Sequence, residues 1–462
     1  MYGTYDMKRK ILKIESVEYA CFENLKVIIF YDGIPSPQFY TLIEKNSFDV
    51  DWMSAFIGPF QLIAFKKNSG ELLITQHFFG NGKNLYFCIS DNVMYLSSTL
   101  NELRKIVKKP FKLNISMLPH YFYNGFLANS HTLIAGVYKL EAESYYIIKG
   151  RNIHKNKLIF EKESSIESSE DITNQLESEY MDALDNIITS LGNEIENSVA
   201  IALSGGFDSN CILYSLHKRF PEKKVYAFSV GGLKGINETE TAFEIANQYK
   251  NVSFKKSLVT PETLKHLDEI VAILEGSVYE RGIFLQYELA KLLNKHNVDC
   301  VFCGECADQV FHSNTYKSIA DDTFLYGYVE TPLQMAVYAV LKKSRMMMNA
   351  FGVHAFYPFL ALDMIRVGFK SQDINGTTKE FHKMQCKKML PESILELMEK
   401  KGGSTDLSAL FPENFDINHE IKKCKYYSKD FMISKKYDQE ESLRDYYLSL
   451  LFLESFEKQF CF

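Results

Sequence analysis

Two short stretches carry residue types that could handle phosphate, a cation and a proton. The first is Ser204-Gly205-Gly206-Phe207-Asp208-Ser209, which follows the apolar run Val199 to Leu203. Its glycines remove the Cβ atoms that would keep a backbone away from a phosphate. A helix opening at Ser209 would aim unpaired amide donors and a positive dipole end at the same point. Asp208 makes sense beside phosphate only if a divalent cation lies between them. An ordinary strand-to-helix turn with a capping serine is the alternative for these residues. The second stretch is Cys303-Gly304-Glu305-Cys306-Ala307-Asp308-Gln309. Asp208 and Asp308 could together hold Mg2+ against a triphosphate, and Glu305 could accept a proton from an attacking amine. A solvated acidic loop is the alternative here. Cys300, Cys303 and Cys306 also repeat at a spacing seen in iron–sulfur sites. However, Val298 to Phe302 reads as a buried strand that takes Cys300 away from the turn, and no fourth ligand is evident.

The elements around these loops follow from periodicity. Ile212, Leu213 and Leu216 share one face of the opening helix, and Val225 to Val230 reads as a second buried strand. Asn237 and Glu240 form a capping pair for a helix burying Ala242, Ile245, Ala246 and Tyr249. Val252 to Phe254 predicts a third strand, residues 262–274 and 283–296 two helices, and Val298 to Cys303 a further strand; beyond residue 320 the pattern is mostly helical. Strands alternating with helices predict a doubly wound parallel sheet, with ligands at the strands' carboxyl ends. Upstream lie shorter β-like runs at Lys26 to Tyr31, Gln61 to Phe65, Glu71 to Thr75 and Asn84 to Cys88. Turn signals at Asn68-Ser69-Gly70 and Gly80-Asn81-Gly82 separate them. The fold class is therefore α/β with a β-rich first domain. The serine-rich polar stretch Glu161 to Glu170 divides residues 1–160 from residues 171–462. After it, Leu176, Tyr180, Ala183, Leu184, Ile187, Ile188 and Leu191 recur at helical spacing.

Composition narrows the function classes. A net charge of −6 argues against a nucleic-acid surface, and no apolar run is long enough to span a bilayer. The first residues lack a signal-peptide pattern, so the nine cysteines read as reduced thiols of a cytoplasmic protein. With 35 Phe and 28 Tyr, large cores or apolar clefts are expected.

Taken together, the two loops resemble the asparagine synthetase family, whose synthetase domain has an S-G-G-x-D-S pyrophosphate loop and a later S-G-E-G-x-D-E loop. Further likeness lies in Phe228-Ser229-Val230-Gly231 with Glu238 and Ala242, in Arg281, in Tyr357-Pro358-Phe359-Leu360, and in Leu390-Pro391 ahead of Lys400-Lys401-Gly402. The resemblance implies that a carboxylate is activated by ATP as an acyl-adenylate, with Mg2+, and then captured by nitrogen. It assigns Leu203, Ser204, Gly205, Gly206, Asp208, Ser209, Ser229 and Gly304 to ATP and pyrophosphate, and Asp208 and Asp308 to the metal. Glu305, Arg281 and Lys400 become the catalytic candidates, with Lys401 the alternative one register away.

Departures from the family pattern are informative. The first domain is similar to the family's Ntn-type glutaminase domain at Gly58-Pro59-Phe60, Gly80, Leu85-Tyr86-Phe87 and Leu96-Ser97-Ser98. Yet Tyr2 follows Met1 where glutamine-using members have a cysteine nucleophile. The context Cys21-Phe22-Glu23 does not match that start, and Gln76-His77 replaces an arginine–aspartate pair. The domain is expected to be a degenerate glutaminase. Cys303, Cys306, Gln309 and Ala361 stand where the family has Ser, Gly, Glu and Asp, which argues against asparagine as the product. The expectation is an AMP-forming carbon–nitrogen ligase whose nitrogen comes from an amine substrate or an intramolecular amine, as in β-lactam synthetases and lasso-peptide cyclases. Its substrate would be a small-molecule or peptide carboxylate, and its partners a precursor peptide and other maturation proteins. An ammonia-dependent asparagine synthetase and a catalytically inactive nucleotide-fold binding protein are the alternatives. Acidic charge and the upstream β-domain disfavour a tRNA-modifying ligase.

Overall fold

A computed structural model describes residues 1–15, 19–44, 55–77, 82–141, 144–157, 170–193, 195, 198–232, 238–280, 282–311, 336–375, 379–399, 410–412, 415–428 and 440–461. The first part of the chain supplies strands β1 Tyr2–Asp6, β2 Ile11–Glu15, β3 Ala20–Glu23, β4 Val27–Pro35, β5 Phe56–Lys66, β6 Glu71–Gln76, β7 Tyr86–Ser90, β8 Val93–Ser97, β9 Tyr138–Lys139, β10 Ser144–Lys149 and β11 Asn152–Lys157. They form two antiparallel sheets, ordered β2-β1-β8-β7-β9 and β11-β10-β6-β5-β4-β3. Tyr5, Phe87 and Leu96 of the first sheet meet Ile63, Phe65 and Ile74 of the second in a shared core. Leu62, Ala64 and Leu73 point the other way, onto Phe39 and Ile43 of α1 Gln38–Glu44. β5 is buried on both faces, which is why it reads as a continuous apolar run rather than an alternating one.

Two helices leave this sandwich, α2 Leu100–Val107 and α3 Leu118–Asn124. Their apolar faces join the core of the second half. The Phe122 ring meets Tyr446 at 5.7 Å, and Tyr121 meets Phe452 at 6.5 Å.

The second half begins with α4 Glu170–Asn193 and continues β12 Ser198–Ala202, α5 Phe207–Arg219, β13 Lys224–Gly232, α6 Glu238–Ala246 and β14 Val252–Val259. Then come α7 Pro261–Leu264, α8 Leu267–Leu274, α9 Gly282–Lys295, β15 Cys300–Phe302 and α10 Ala307–Val310. After a π-helical turn at Ala336–Val340 the chain adds α11 Leu341–Ala350, β16 His354–Phe356, α12 Leu362–Asn375, α13 Glu380–Met389, α14 Glu392–Glu399, α15 Ile417–Ile421 and α16 Glu440–Phe460. The strands form one parallel sheet ordered β14-β13-β12-β15-β16. Strand order reverses between β12 and β15, which pair Ala200 with Val301 and Ile201 with Phe302. Both suspect loops therefore leave neighbouring strands at the topological switch point, where such sheets bind ligands. α5 contacts α4 and α13, whereas α9 contacts α11, and right-handed crossovers put these groups on opposite faces.

Some expectations shift. The opening helix starts at Phe207 rather than Ser209, the helix expected over 262–274 breaks into α7 and α8, and the strand expected over 298–303 is only Cys300–Phe302. Asn237, Gly80, Asn81 and Glu161 to Ser169 lie outside the described residues. Packing of α5 on α13 brings the buried side chains of Cys211 and Cys386 together, with Cα atoms 5.8 Å apart. Among the described residues, no helix is long and apolar enough to cross a membrane.

Candidate active site

The first loop is a self-bonded turn. Leu203 N–H donates to Phe228 O at 2.8 Å, carrying the parallel pairing one residue past β12. Ser209 Oγ accepts from Ser204 N at 3.1 Å, and Ser204 Oγ accepts from Gly206 N at 3.2 Å. Asn210 Nδ2 donates to the carbonyls of Ser204 and Gly206, at 3.1 and 2.7 Å. Gly206 has an extended backbone (φ −95°, ψ 165°), so the turn itself does not require glycine there. Without a Cβ, Gly206 is half-buried at the start of α5.

Gly304 is different. A Cβ there would lie 3.0 Å from Ser209 N and 3.2 Å from the Asp208 carbonyl carbon. The second loop crosses the first at that point, and any larger residue would need the neighbouring backbone to give by a few tenths of an ångström. Cys306 takes the left-handed conformation (φ 73°) and turns the chain into α10, which presents Asp308 beside Asp208.

Leu203, Ser204, Asp208, Ser209, Ser229, Gly304, Glu305 and Asp308 all line one cleft of about 400 Å³. Gly205 and Gly206 belong to the loop at its edge. Arg281, Lys400 and Lys401 lie outside the described residues. Apolar walls come from Phe228, Val230, Leu285, Leu289 and Val340, and further polar groups from Glu238, Gln286 and Lys343. Glu305 is held from α9, where Gln286 Nε2 donates to its Oε1 at 2.7 Å. Lys343 of α11 pairs with Glu280. Cys303 and Cys306 are buried, and that burial pushes both thiols well above their ordinary range. Among the described residues, no three His, Cys, Asp or Glu side chains gather as a metal cluster.

Two side chains that sequence reasoning did not single out meet at Asp208. Lys379, the residue capping α13, places Nζ 2.5 and 2.7 Å from the two Asp208 oxygens and 2.6 Å from Asp308 Oδ1. His382, one turn on, has Nε2 2.9 Å from Asp208 Oδ1 and Nδ1 2.9 Å from the Tyr180 hydroxyl. Burial alone would raise the Asp208 carboxyl, but the Lys379 ammonium and the His382 hydrogen bond outweigh it and hold it well below the usual range. The same pairing lifts Lys379 above its ordinary value, although burial opposes the lift. Two carboxylates thus converge on one cationic point with hard oxygen ligands, an arrangement that suits Mg2+ completed by phosphate oxygens. The local signal for Lys379 and His382 is only a Lys-x-x-His spacing on an amphipathic helix.

In the N-terminal sandwich, Tyr2 occupies a ladder position in β1 opposite Glu15 and Ser97, and its hydroxyl bonds Glu15. Gln76 and His77 are buried, and burial lowers the His77 imidazole to about 3.

Residues 195–327 match the family model described as asparagine synthase. The microcin J25-processing protein McjC of Escherichia coli is 26% identical over 248 residues. That alignment takes in 52% of this chain and 46% of McjC, so the chain spans about half the length of the curated relative it matches. A tRNA thiolase from Methanococcus maripaludis aligns at 16% identity and a TM-score of 0.25, over 52% of this chain and 86% of its own. A glutamine phosphoribosylpyrophosphate amidotransferase from B. subtilis aligns at 9% identity and a TM-score of 0.21, over 53% and 64%. At those scores neither superposition bears on function.

Proposed function

We propose that the protein is an ATP-dependent, AMP-forming carbon–nitrogen ligase of the asparagine synthetase type, a reading that the match of residues 195–327 to the asparagine synthase family model supports. In this reading an oxygen of a substrate carboxylate attacks the α-phosphorus of ATP, the bond from that phosphorus to the bridging oxygen breaks, and pyrophosphate leaves. An amine nitrogen then attacks the acyl carbon, the amide forms, AMP departs, and the amine's proton passes to Glu305. The observation that carries the reading is the convergence of Asp208 and Asp308 on one cationic point, in the same cleft as Glu305.

Roles follow from position. Ser204, Gly205, Gly206, Ser209 and Gly304 would cradle the triphosphate through backbone donors and small side chains, with Leu203 and Ser229 lining the nucleotide's other side. Asp208 and Asp308 would hold Mg2+, which when bound offsets charge on the departing pyrophosphate. Lys379 would share that electrostatic role once it yields the point between the carboxylates. Gln286 fixes one Glu305 oxygen, and the carboxylate so held would take the proton. Arg281 and Lys400, with Lys401 as the alternative, are proposed as further cationic groups toward the α-phosphate.

The nitrogen is proposed to come from an amine of the substrate rather than from glutamine. Tyr2 fixed in the β1 ladder and a neutral, buried His77 support this. Likeness to a microcin-processing protein supports a peptide carboxylate, a precursor-peptide partner and a role in peptide maturation. The test is carboxylate-dependent pyrophosphate release from ATP, expected to fall at least about 100-fold in Asp208→Ala. Absence of Mg2+-dependent ATP binding overturns the proposal, as does glutaminase activity for its nitrogen source. Asparagine formed from aspartate and ammonium would replace it with the ammonia-dependent synthetase.

A further inference from the structure

Asp208 is gripped from the protein interior as well as from the cleft. His382 is fully buried, with Nε2 on Asp208 Oδ1 and Nδ1 on the Tyr180 hydroxyl, each at 2.9 Å. An ionised carboxylate only accepts, so Nε2 must carry the ring proton; Nδ1 is then a bare acceptor, and the Tyr180 O–H donates to it. Tyr180 is itself fully buried in α4. The imidazole plane is fixed by packing. It stacks on Phe311 at 4.7 Å and 15°, and meets the edge of Phe359 at 5.1 Å and 89°. Three helices (α4, α13 and α5) thus hand one hydrogen-bond direction along a chain that ends at the carboxylate.

We propose that His382 is a positioning residue for the cation-binding carboxylate, pinning Asp208 Oδ1 through Nε2–H while Tyr180 holds the imidazole in the tautomer that can do so. The inference rests on the reading of Asp208 as an Mg2+ ligand and deepens it. Lys379 touches both Asp208 oxygens but must yield to a divalent cation, and a carboxylate held by Lys379 alone would then be free to rotate. His382 stays in place, keeps Oδ1 committed and leaves Oδ2 directed at the cation. Partners of this kind, behind a metal-binding side chain, are worth about 10–100-fold in metal affinity.

The test uses Mn2+ as the probe on the full chain with α,β-methylene-ATP, reading free Mn2+ by its paramagnetic resonance signal. His382→Phe, which keeps the ring stack but loses the donor, is expected to weaken Mn2+ binding about 10–100-fold. His382→Gln, whose amide can still reach Asp208, is expected to stay within a few-fold of wild type, and Tyr180→Phe to weaken binding several-fold. Metal-free nucleotide affinity should stay unchanged throughout, which a collapse of packing would not allow. Equal Mn2+ affinity in wild type and His382→Phe overturns the proposal, as does a Gln variant as weak as the Phe variant. Should His382→Phe fail to fold, wild-type Mn2+ affinity in Tyr180→Phe overturns it instead. If wild-type protein binds no Mn2+, the functional reading of Asp208 falls, and the positioning role with it.

Discussion

Lys379 neutralises two carboxylates with one ammonium, and that makes it the most consequential single side chain in the cleft. In Lys379→Met, Asp208 and Asp308 face each other without a counter-charge. Because both are partly exposed, the expected cost is about 1–2 kcal/mol rather than the larger value of a dry pair. Millimolar Mg2+ should restore most of the lost melting temperature, and thermal unfolding with and without the cation measures this. The two loops were legible because their ligand-side residues are neighbours in sequence. Lys379, His382 and Tyr180 were not, since they reach Asp208 or one another across 171, 174 and 202 positions. Periodicity reveals that such residues lie on helices, but not which distant carboxylate the helix faces.

Among the elements, the crossing of the two loops depends on the adjacency of β12 and β15. Gly304→Ala puts a methyl against the backbone of Asp208 and Ser209, where no flexible side chain can give way. Prising the loops apart is expected to cost about 1–2 kcal/mol and roughly tenfold in ATP affinity, measured by calorimetry. The alternation of strands and helices was enough to predict the parallel sheet, from whose carboxyl edge both loops leave. It could not predict how α11 is used. Successive residues of that helix reach Lys83 O and Asn84 in the N-terminal half (Lys342), Glu280 beside the cleft (Lys343), Tyr357 (Ser344), and Asp32 and Pro59 (Arg345). A basic, methionine-rich helix has no pattern that announces a junction.

On the scale of the whole molecule, the halves share a core, and one buried acid records it. Glu275, at the end of α8, accepts a hydrogen bond from Leu100 N–H at the start of α2, and burial pushes its carboxyl up to about 8. A folded pKa above the unfolded value means this group's stabilisation is full below about pH 4.3 and is lost as pH rises toward about 8. Glu275→Gln should therefore flatten the fall in melting temperature between about pH 5 and about pH 8 by several degrees. A chain reduced to residues 171–462 would leave α8 and α16 without the faces of α2 and α3, and is expected to express as insoluble protein lacking a cooperative melt. That shared packing also sets a schedule during synthesis. At roughly 5–20 residues per second, Tyr121 and Phe122 emerge from a ribosome some 20–60 s before Phe452 and Tyr446 exist to cover them. For that interval the nascent first half carries an uncovered aromatic face, a natural handle for a chaperone and a site of aggregation if translation stalls before the last helix.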